Sequence, residues 1–525
     1  MSRRVDAKTL KAWLSDGGEI ALLDVREYGR YGEGHLFFAV SLPYSRFELG
    51  LPALVPNPRV RLVLCDDGEG VAERAAKRAA LGYGNVQVLA GGTGAWKEAG
   101  FPIYAGVNVP SKAFGELVEL ERHTPRVTAS ELQGMRERGE DIAIVDGRTV
   151  AEFQKMNIPG GVCCPNGELA LRIQELVPSP KTKIVVNCAG RTRSIIGAQT
   201  LIDFGVPNEV VALENGTQGW FLAGLKLENG AQRRFAAQAA ADLSALRQRA
   251  RTLAEARGVA FVAAGQVSHW LAHRAGTTYL LDVRTPDEFA ANGPAGFAHA
   301  PGGQLVQTTD HWIGTRRARI VLVDDDGVRA PMTAQWLRQL GHEAYVLEGG
   351  LAGAGKIEIP HAAARPVPAG PVAIEAKELA GRLSDGSAQI IDLRSSMSYR
   401  KEHIAGTVWS IRPRIAKTAD AGKTVVLVAD DPAIAALAAV DLAEGDVRVV
   451  RVLAGGHEAA KAAGLKVAST PADPADAECI DHLFFTAGRH EGDEAAARQY
   501  IAWEIGLVDQ LDAAERETFR IAGAP

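Results

Sequence analysis

The chain has little cysteine: five residues in 525, namely Cys65, Cys163, Cys164, Cys188 and Cys479. An odd, sparse set is no disulfide framework, and no Cys-x-x-Cys or Cys/His spacing marks a zinc site. A reducing, cytoplasmic compartment is the expectation. Long hydrophobic runs are also missing, and no uninterrupted apolar stretch reaches the length of a membrane span. The N-terminus, Met1-Ser2-Arg3-Arg4-Val5-Asp6, turns polar at once and lacks the apolar core of an export signal. A dominant charge is absent too. The formal net charge is -5, with no basic domain and no run of lysines among aromatics, so nucleic acid is not an expected partner. A length of 525 residues predicts about three to five domains.

What is present is a pattern written four times. An apolar strand ending in Asp-x-Arg occurs at Leu22-Leu23-Asp24-Val25-Arg26 and at Ile144-Val145-Asp146-Gly147-Arg148. It recurs at Leu280-Leu281-Asp282-Val283-Arg284 and Ile390-Ile391-Asp392-Leu393-Arg394. An amphipathic helical stretch precedes each copy. A second apolar strand follows further on: Leu62-Val63-Leu64, Ile184-Val185-Val186, Ile320-Val321-Leu322-Val323 and Val425-Val426-Leu427-Val428. An alanine-rich helical run comes next, and a third strand with a glycine turn closes each unit, as at Ala90-Gly91-Gly92 and Glu214-Asn215-Gly216. Trp96 and Trp220 follow the turn in the first two units. Short apolar strands alternating with helices predict a parallel sheet covered on both faces, so the fold class is α/β.

The predicted units are 1–108, 121–230, 258–360 and 370–468. Residues 231–257, rich in Ala and Arg, are read as a solvent-facing helical linker, and 361–371 as a Pro/Gly/Ala connection. A tail, 469–525, does not repeat the pattern. It holds a helix from Asp493 to Leu511 with an apolar stripe through Tyr500, Trp503, Leu507 and Leu511, which predicts docking on its own protein or on a partner.

The run Asn187-Cys188-Ala189-Gly190-Arg191-Thr192-Arg193-Ser194 carries the most chemistry. It places one cysteine where a strand meets a helix N-terminus, between free amides and beside two arginines. An ordinary thiol, with a pKa of about 8.5, is largely protonated at neutral pH. A helix N-terminus and nearby cations favour the thiolate and also an anionic substrate.

The Asp-x-Arg strand, the cysteine in a strand-to-helix loop and the closing Gly-Gly-x-x-x-Trp resemble the rhodanese family of sulfurtransferases, as four tandem copies over residues 5 to 468. The resemblance implies a small α/β domain with a central parallel sheet, and an active-site cysteine that carries a persulfide surrounded by loop amides. The implied catalytic residue is Cys188. It would take sulfur from a small anionic donor such as thiosulfate and pass it to a thiol or cyanide. Ala189, Gly190, Arg191, Thr192, Arg193 and Ser194 form the implied substrate-binding loop. The two arginines would hold the donor's oxyanion, and Ser194 would cap the helix. No metal or organic cofactor is implied, no membrane partner is expected, and a homodimer is left open.

In unit one, Cys65-Asp66-Asp67-Gly68 is read as the corresponding loop, with a thiol crowded by carboxylates that raise its pKa and repel an anion. Units three and four have Asp324-Asp325-Asp326-Gly327 and Ala429-Asp430-Asp431-Pro432, and no nucleophile. Cys163 and Cys164 lie on a segment that the resemblance puts near the site mouth. Cys164 is a secondary candidate for accepting sulfur or forming a protective disulfide, unless both are ordinary core residues. Arg172 is read either as positive charge at the mouth or as a solvated helical arginine. The Asp-x-Arg residues are read as structural.

Two rivals stand beside this reading. One is a cysteine-loop phosphatase or arsenate reductase, which wants Cys, five residues, then Arg; this chain has Ser194 there. The other is a non-catalytic sulfur-carrier or sensor scaffold, motivated by the three degenerate units.

Overall fold

The apolar runs that end in Asp-x-Arg become the second strand of four parallel sheets in a computed structural model, which describes residues 3–236, 243–273, 275–360, 368–445, 447 and 449–523. In unit two the strands, in chain order, are Arg126–Val127, Ile142–Asp146, Val162–Cys163, Lys183–Asn187 and Val210–Leu213. They lie side by side in the order first, fifth, fourth, second, third, and all pairs are parallel. The other units repeat this order, starting from Arg3–Val5, Ala260–Val262 and Val372–Ile374. Parallel neighbours require crossovers, and the crossover helices cover both faces. That is why the strands read as continuous apolar runs: Ile184, Val185 and Val186 are all 0% exposed. Four tandem α/β units with a tail are therefore the architecture.

The Asp-x-Arg motif is structural in all four units. Each arginine makes a fork-to-fork pair with the aspartate two residues back, as in Arg148 to Asp146 at 2.7 Å. Each also donates to a carbonyl eight residues on: Gly34, Met156, Asn292 and Glu402. The pair pins the turn after the strand to the end of the helix that follows, leaving neither buried charge unpaired.

Strand register fixes which loop residues correspond. Asp146 lies opposite Asn187, and Asp24 lies opposite Cys65. Asp282 and Asp392 lie opposite Val323 and Val428. The position of Cys188 is thus filled by Asp66, Asp324 and Ala429. This corrects the reading of Cys65 as the loop thiol. Cys65 ends a strand, is 0% exposed and packs in the core with Val5 and Trp96. Burial and Asp24 raise its pKa well above the ordinary thiol value.

The units associate as two pairs. Units two and three share one core, in which Ile195 and Ile196 pack with Trp336 and Leu337. Arg329 of unit three, 1% exposed, donates to Glu168 of unit two at 3.0 Å. Units one and four meet at Arg412, which donates to the Tyr44 carbonyl, Glu48 and Asp441. Unit three also adds a strand, Thr315–Arg316, antiparallel to Ile20–Asp24 of unit one. The segment read as a solvent-facing linker holds a helix, Ser244–Ala256, within its described residues, while 237–242 lie outside them. That helix is not solvent-facing throughout: Leu246, Ala250 and Leu253 pack against Phe204 and Met332 between units two and three. Residues 361–367 of the predicted connection also lie outside the described residues. No helix among the described residues is long and apolar enough to cross a membrane.

Near the unit one–four seam, Glu27 is 4% exposed and accepts from the amide and hydroxyl of Ser45. Burial pushes its carboxyl up to about 7, against the Ser45 hydrogen bonds. A carboxyl raised on folding stabilises at low pH and loses that contribution as pH climbs from its unfolded value toward 7. Glu27→Gln is therefore expected to melt higher than the parent at pH 8, with the difference vanishing near pH 5. Equal melting curves at pH 8 would contradict this.

Candidate active site

Cys188 follows directly on the strand Lys183–Asn187, and the helix Thr192–Phe204 begins four residues later. The loop between them turns back on the close of the sheet. The Thr217 amide donates to the Cys188 carbonyl at 2.8 Å, and the Gln218 amide to that of Ala189 at 3.1 Å. Gly216 sits under this turn with φ +52°, and a Cβ there would come within 2.2 Å of the Cys188 carbonyl oxygen. Only glycine serves at that point. Gly92 meets the Asp66 carbonyl in the same way, in agreement with the register.

The Cys188 thiol is 2% exposed and accepts a hydrogen bond from the Ser194 hydroxyl at 3.2 Å. The expected helix cap is not formed: neither Ser194 nor Thr192 caps, and the Ser194 hydroxyl goes to the sulfur. Among the described residues, no acceptor takes the amides of Ala189, Gly190 and Arg191. The degenerate loops differ on this point. In unit one, Asp66 accepts from the amides of Gly68 and Ala72. In unit three, Asp324 accepts from Gly327 and Ala330, and Asp326 from Val328 and Arg329. In both, a carboxylate of the loop itself fills the cradle. Among the described residues, unit two alone combines a loop sulfur with open amides.

The loop arginines do not act alike. Arg191, expected to hold a substrate oxyanion, is 5% exposed and turned away, donating to Glu116 at 2.8 and 2.7 Å and also to Glu119. Both carboxylates belong to the helix Val109–Arg122 that joins units one and two. Burial opposes its charge, but these carboxylates hold the guanidinium ionised. Arg191→Ala would leave Glu116 buried and unpaired, at a cost of about 3–5 kcal/mol. The double variant Arg191→Ala/Glu116→Ala is expected to recover part of that loss in denaturant melts, and additive losses would contradict the pairing.

Arg193 faces the site. It forks onto Glu152 at 2.8 and 2.7 Å and reaches Gln304 of unit three at 3.3 Å. Burial alone would raise the Glu152 carboxyl, but Arg193 and the Thr149 hydroxyl outweigh it and hold it at about 2. The charge of Arg193 is therefore largely neutralised.

A cavity of about 220 Å³ opens beside the loop, lined by Ala189, Arg193, Gln218, Gln304 and, from the tail, Arg489 and Tyr500. The tail thus docks on its own protein and roofs the site. Its helix runs from Glu494 to Ile505, shorter than expected, followed by a 3₁₀ turn at Val508–Gln510. Trp503 donates to the Ala105 carbonyl, and Glu504, fully buried, accepts from Lys112 and from the Thr192 hydroxyl at 2.6 Å. Gly190 lies directly beneath: a Cβ there would come within 3.0 Å of both Glu504 and Tyr500.

Arg489 is the cation that sequence reasoning missed. Its guanidinium donates to the Thr486 carbonyl at 3.0 Å and lies 4.7 Å from the Tyr500 ring centre. Among the described residues its buried Nε has no partner, and no carboxylate lies within 4.0 Å of the guanidinium. Arg193 and Lys112 are each matched by a carboxylate; Arg489 is not. Only the apolar stripe of the tail hinted that this segment docks.

The secondary candidates fall elsewhere. Cys163 and Cys164 are both 0% exposed, and Cys164 packs in the core of unit two with Val145 and Leu169. Burial raises the Cys164 pKa well above the ordinary value and pushes Cys163 up to about 12, so both stay thiols. Arg172 is 2% exposed, not solvated, and lies beside Glu168 and the Phe235 ring. None of the five cysteines is in a disulfide.

Four copies of one parallel α/β unit, with a cysteine cradled at a strand-to-helix turn in the second, define a tandem rhodanese-like protein. The rhodanese-like domain family matches residues 6–99, 128–223, 266–355 and 375–463. The chain belongs to the rhodanese family of sulfurtransferases. A crystal structure of a thiosulfate sulfurtransferase from Pseudomonas aeruginosa is similar at 40% identity and TM-score 0.90, covering 100% of both chains. A sulfurtransferase of Allochromatium vinosum is 29% identical over 105 residues, 20% of this chain and 97% of that protein. An HTH-type transcriptional regulator of Mycobacterium tuberculosis is 36% identical over 105 residues, 20% of this chain, and the match spans 45% of the regulator's length.

Proposed function

We propose that this protein moves a sulfane sulfur from thiosulfate, or a donor of similar charge, to a thiol or cyanide through a persulfide on Cys188. The observation that carries the reading is the contrast between loops: Cys188 has open amides around it, whereas aspartates close the cradles of units one and three. The choice of donor is supported by the full-length similarity to the thiosulfate sulfurtransferase of Pseudomonas aeruginosa.

The Cys188 thiolate attacks the outer sulfur of thiosulfate. A new S–S bond forms, the old one breaks, and its electron pair leaves with sulfite. The terminal persulfide sulfur then lies against the amides of Ala189, Gly190 and Arg191 and the N-terminus of the helix Thr192–Phe204. Ser194 donates its hydroxyl to the Cys188 sulfur. Arg489 is the group for the donor's sulfonate end, with Arg193 beside it. Cyanide or a thiolate attacks the outer sulfur, takes it, and returns Cys188 to the thiolate.

This is two-step covalent catalysis, so initial rates with thiosulfate and cyanide varied together should give parallel double-reciprocal lines. Intersecting lines would rule out a free persulfide enzyme. Aryl phosphate hydrolysis is not expected, because Ser194 stands where a phosphatase loop needs arginine and Arg193 is committed to Glu152.

A further inference from the structure

A second cavity, of about 360 Å³, lies where unit one, unit three and the end of the tail meet. Arg316 and Arg317 of unit three line it, with His342 and the tail's Arg520. Phe38 of unit one and Phe519 of the tail give it an apolar wall. The Nε atoms of Arg316 and Arg317 are buried and have no hydrogen-bond partner among the described residues. Both arginines are partly buried, and among the described residues neither has a carboxylate within 4.0 Å, whereas each fully buried arginine has one. Arg316 instead lies over Phe38, its guanidinium carbon 3.4 Å from the ring centre.

Two adjacent, partly buried cations repel each other and lose hydration, which disfavours the charged forms. Burial first, and then Arg317, bring the Arg316 pKa down to about 9. Arg317 is also held at φ +62°, a left-handed conformation that is unfavourable for a non-glycine residue. Strain of this kind persists where surrounding structure imposes it and is concentrated at ligand sites. The acids lining the cavity are Asp310 and Glu517, and burial raises the Asp310 carboxyl toward its neutral form. Glu515 attracts Arg316 and Asp16 attracts Arg317, both from beyond ion-pair distance, so the site presents guanidinium donors with no direct carboxylate partner beside an aromatic face. Asn108 lines both this cavity and the one beside Cys188, but the cations of the two are separate sets.

We propose that this cavity binds an organic anion: a carboxylate, phosphate or sulfonate carried on a flat apolar body. The anionic group lies between Arg316 and Arg317, with Arg520 at the rim, and the body lies against Phe38 and Phe519. Guanidinium forks suit planar or tetrahedral oxyanions, and a volume of this size accepts a small organic molecule.

The test is calorimetric titration of the full chain with 2-naphthoate and with its neutral analogue 2-naphthalenemethanol. One naphthoate per chain is expected, bound at least about tenfold more tightly than the alcohol, the size of a charge-assisted hydrogen bond. Arg316→Gln and Arg317→Gln should each weaken naphthoate by about tenfold. Arg520→Gln, on the exposed rim, should weaken it about threefold and keeps the test available if an interior variant fails to fold. Arg489→Gln should leave the affinity unchanged. Equal affinity for the two probes, indifference to the arginine substitutions in unit three, or loss of binding in Arg489→Gln would overturn the proposal.

Discussion

Cys188→Ser is expected to lower thiosulfate:cyanide sulfur transfer by at least about 10³-fold, while Cys65→Ser keeps a rate close to that of the parent. The first effect is large because a serine hydroxyl in the same place is almost fully protonated and cannot form a persulfide. It sits beside the same open amides and the same Ser194 hydroxyl, so binding is retained and the reaction is lost. The second follows from register. Cys65 lies opposite Asp24 inside a sheet, and the residue in the Cys188 position of its unit is Asp66, whose carboxylate closes the cradle. A tenfold fall in Cys65→Ser with its melting curve unchanged would mean that unit one takes part in the chemistry.

Arg489→Gln is expected to raise the KM for thiosulfate by about 10- to 100-fold, because a hydrogen bond to a charged group is worth about 1.5–3 kcal/mol. The rate at which preformed persulfide enzyme reacts with cyanide should hardly change, since the sulfonate has left before that step. This split separates a donor-binding residue from one that holds up the roof of the site. Arg489→Lys should restore part of the loss through charge alone. Neutralisation of the neighbouring cations is the reason: Glu152 answers Arg193, Glu504 answers Lys112, and Glu116 and Glu119 answer Arg191. Arg489 stays available in the cavity wall. Equal losses in both half-reactions would instead assign Arg489 to positioning the tail over Gly190.

The fourfold repeat was legible because parallel strands buried on both faces are written as uninterrupted apolar runs. Asp146 and Arg148 were legible because their pairing is local, two residues apart. Cys188 stood out for the same reason, since strand, loop and helix are contiguous around it. The one-residue offset of Cys65 was harder to see. Both thiols end apolar strands, and only the pairing opposite Asp24 and Asp146 separates them, although counting from each aspartate would have exposed it. Local sequence points Arg191 at the substrate because its partners, Glu116 and Glu119, come from a helix of an earlier segment. Local sequence favours a capping role for Ser194, which the sulfur beside it overrides. Arg489 and Glu504 reach the loop only through the path of the tail across units four, one and two, a long-range arrangement that no local pattern records.

In the proposed cycle sulfur is carried on Cys188 and on no other cysteine of the chain. Intact-protein and peptide mass spectrometry after exposure to thiosulfate alone, with no acceptor, reads this out. The expected result is a gain of one sulfur atom per chain, located on the peptide containing Cys188, absent in Cys188→Ser and removed by cyanide. An adduct that persists in Cys188→Ser, or that maps to Cys65 or Cys164, would contradict it.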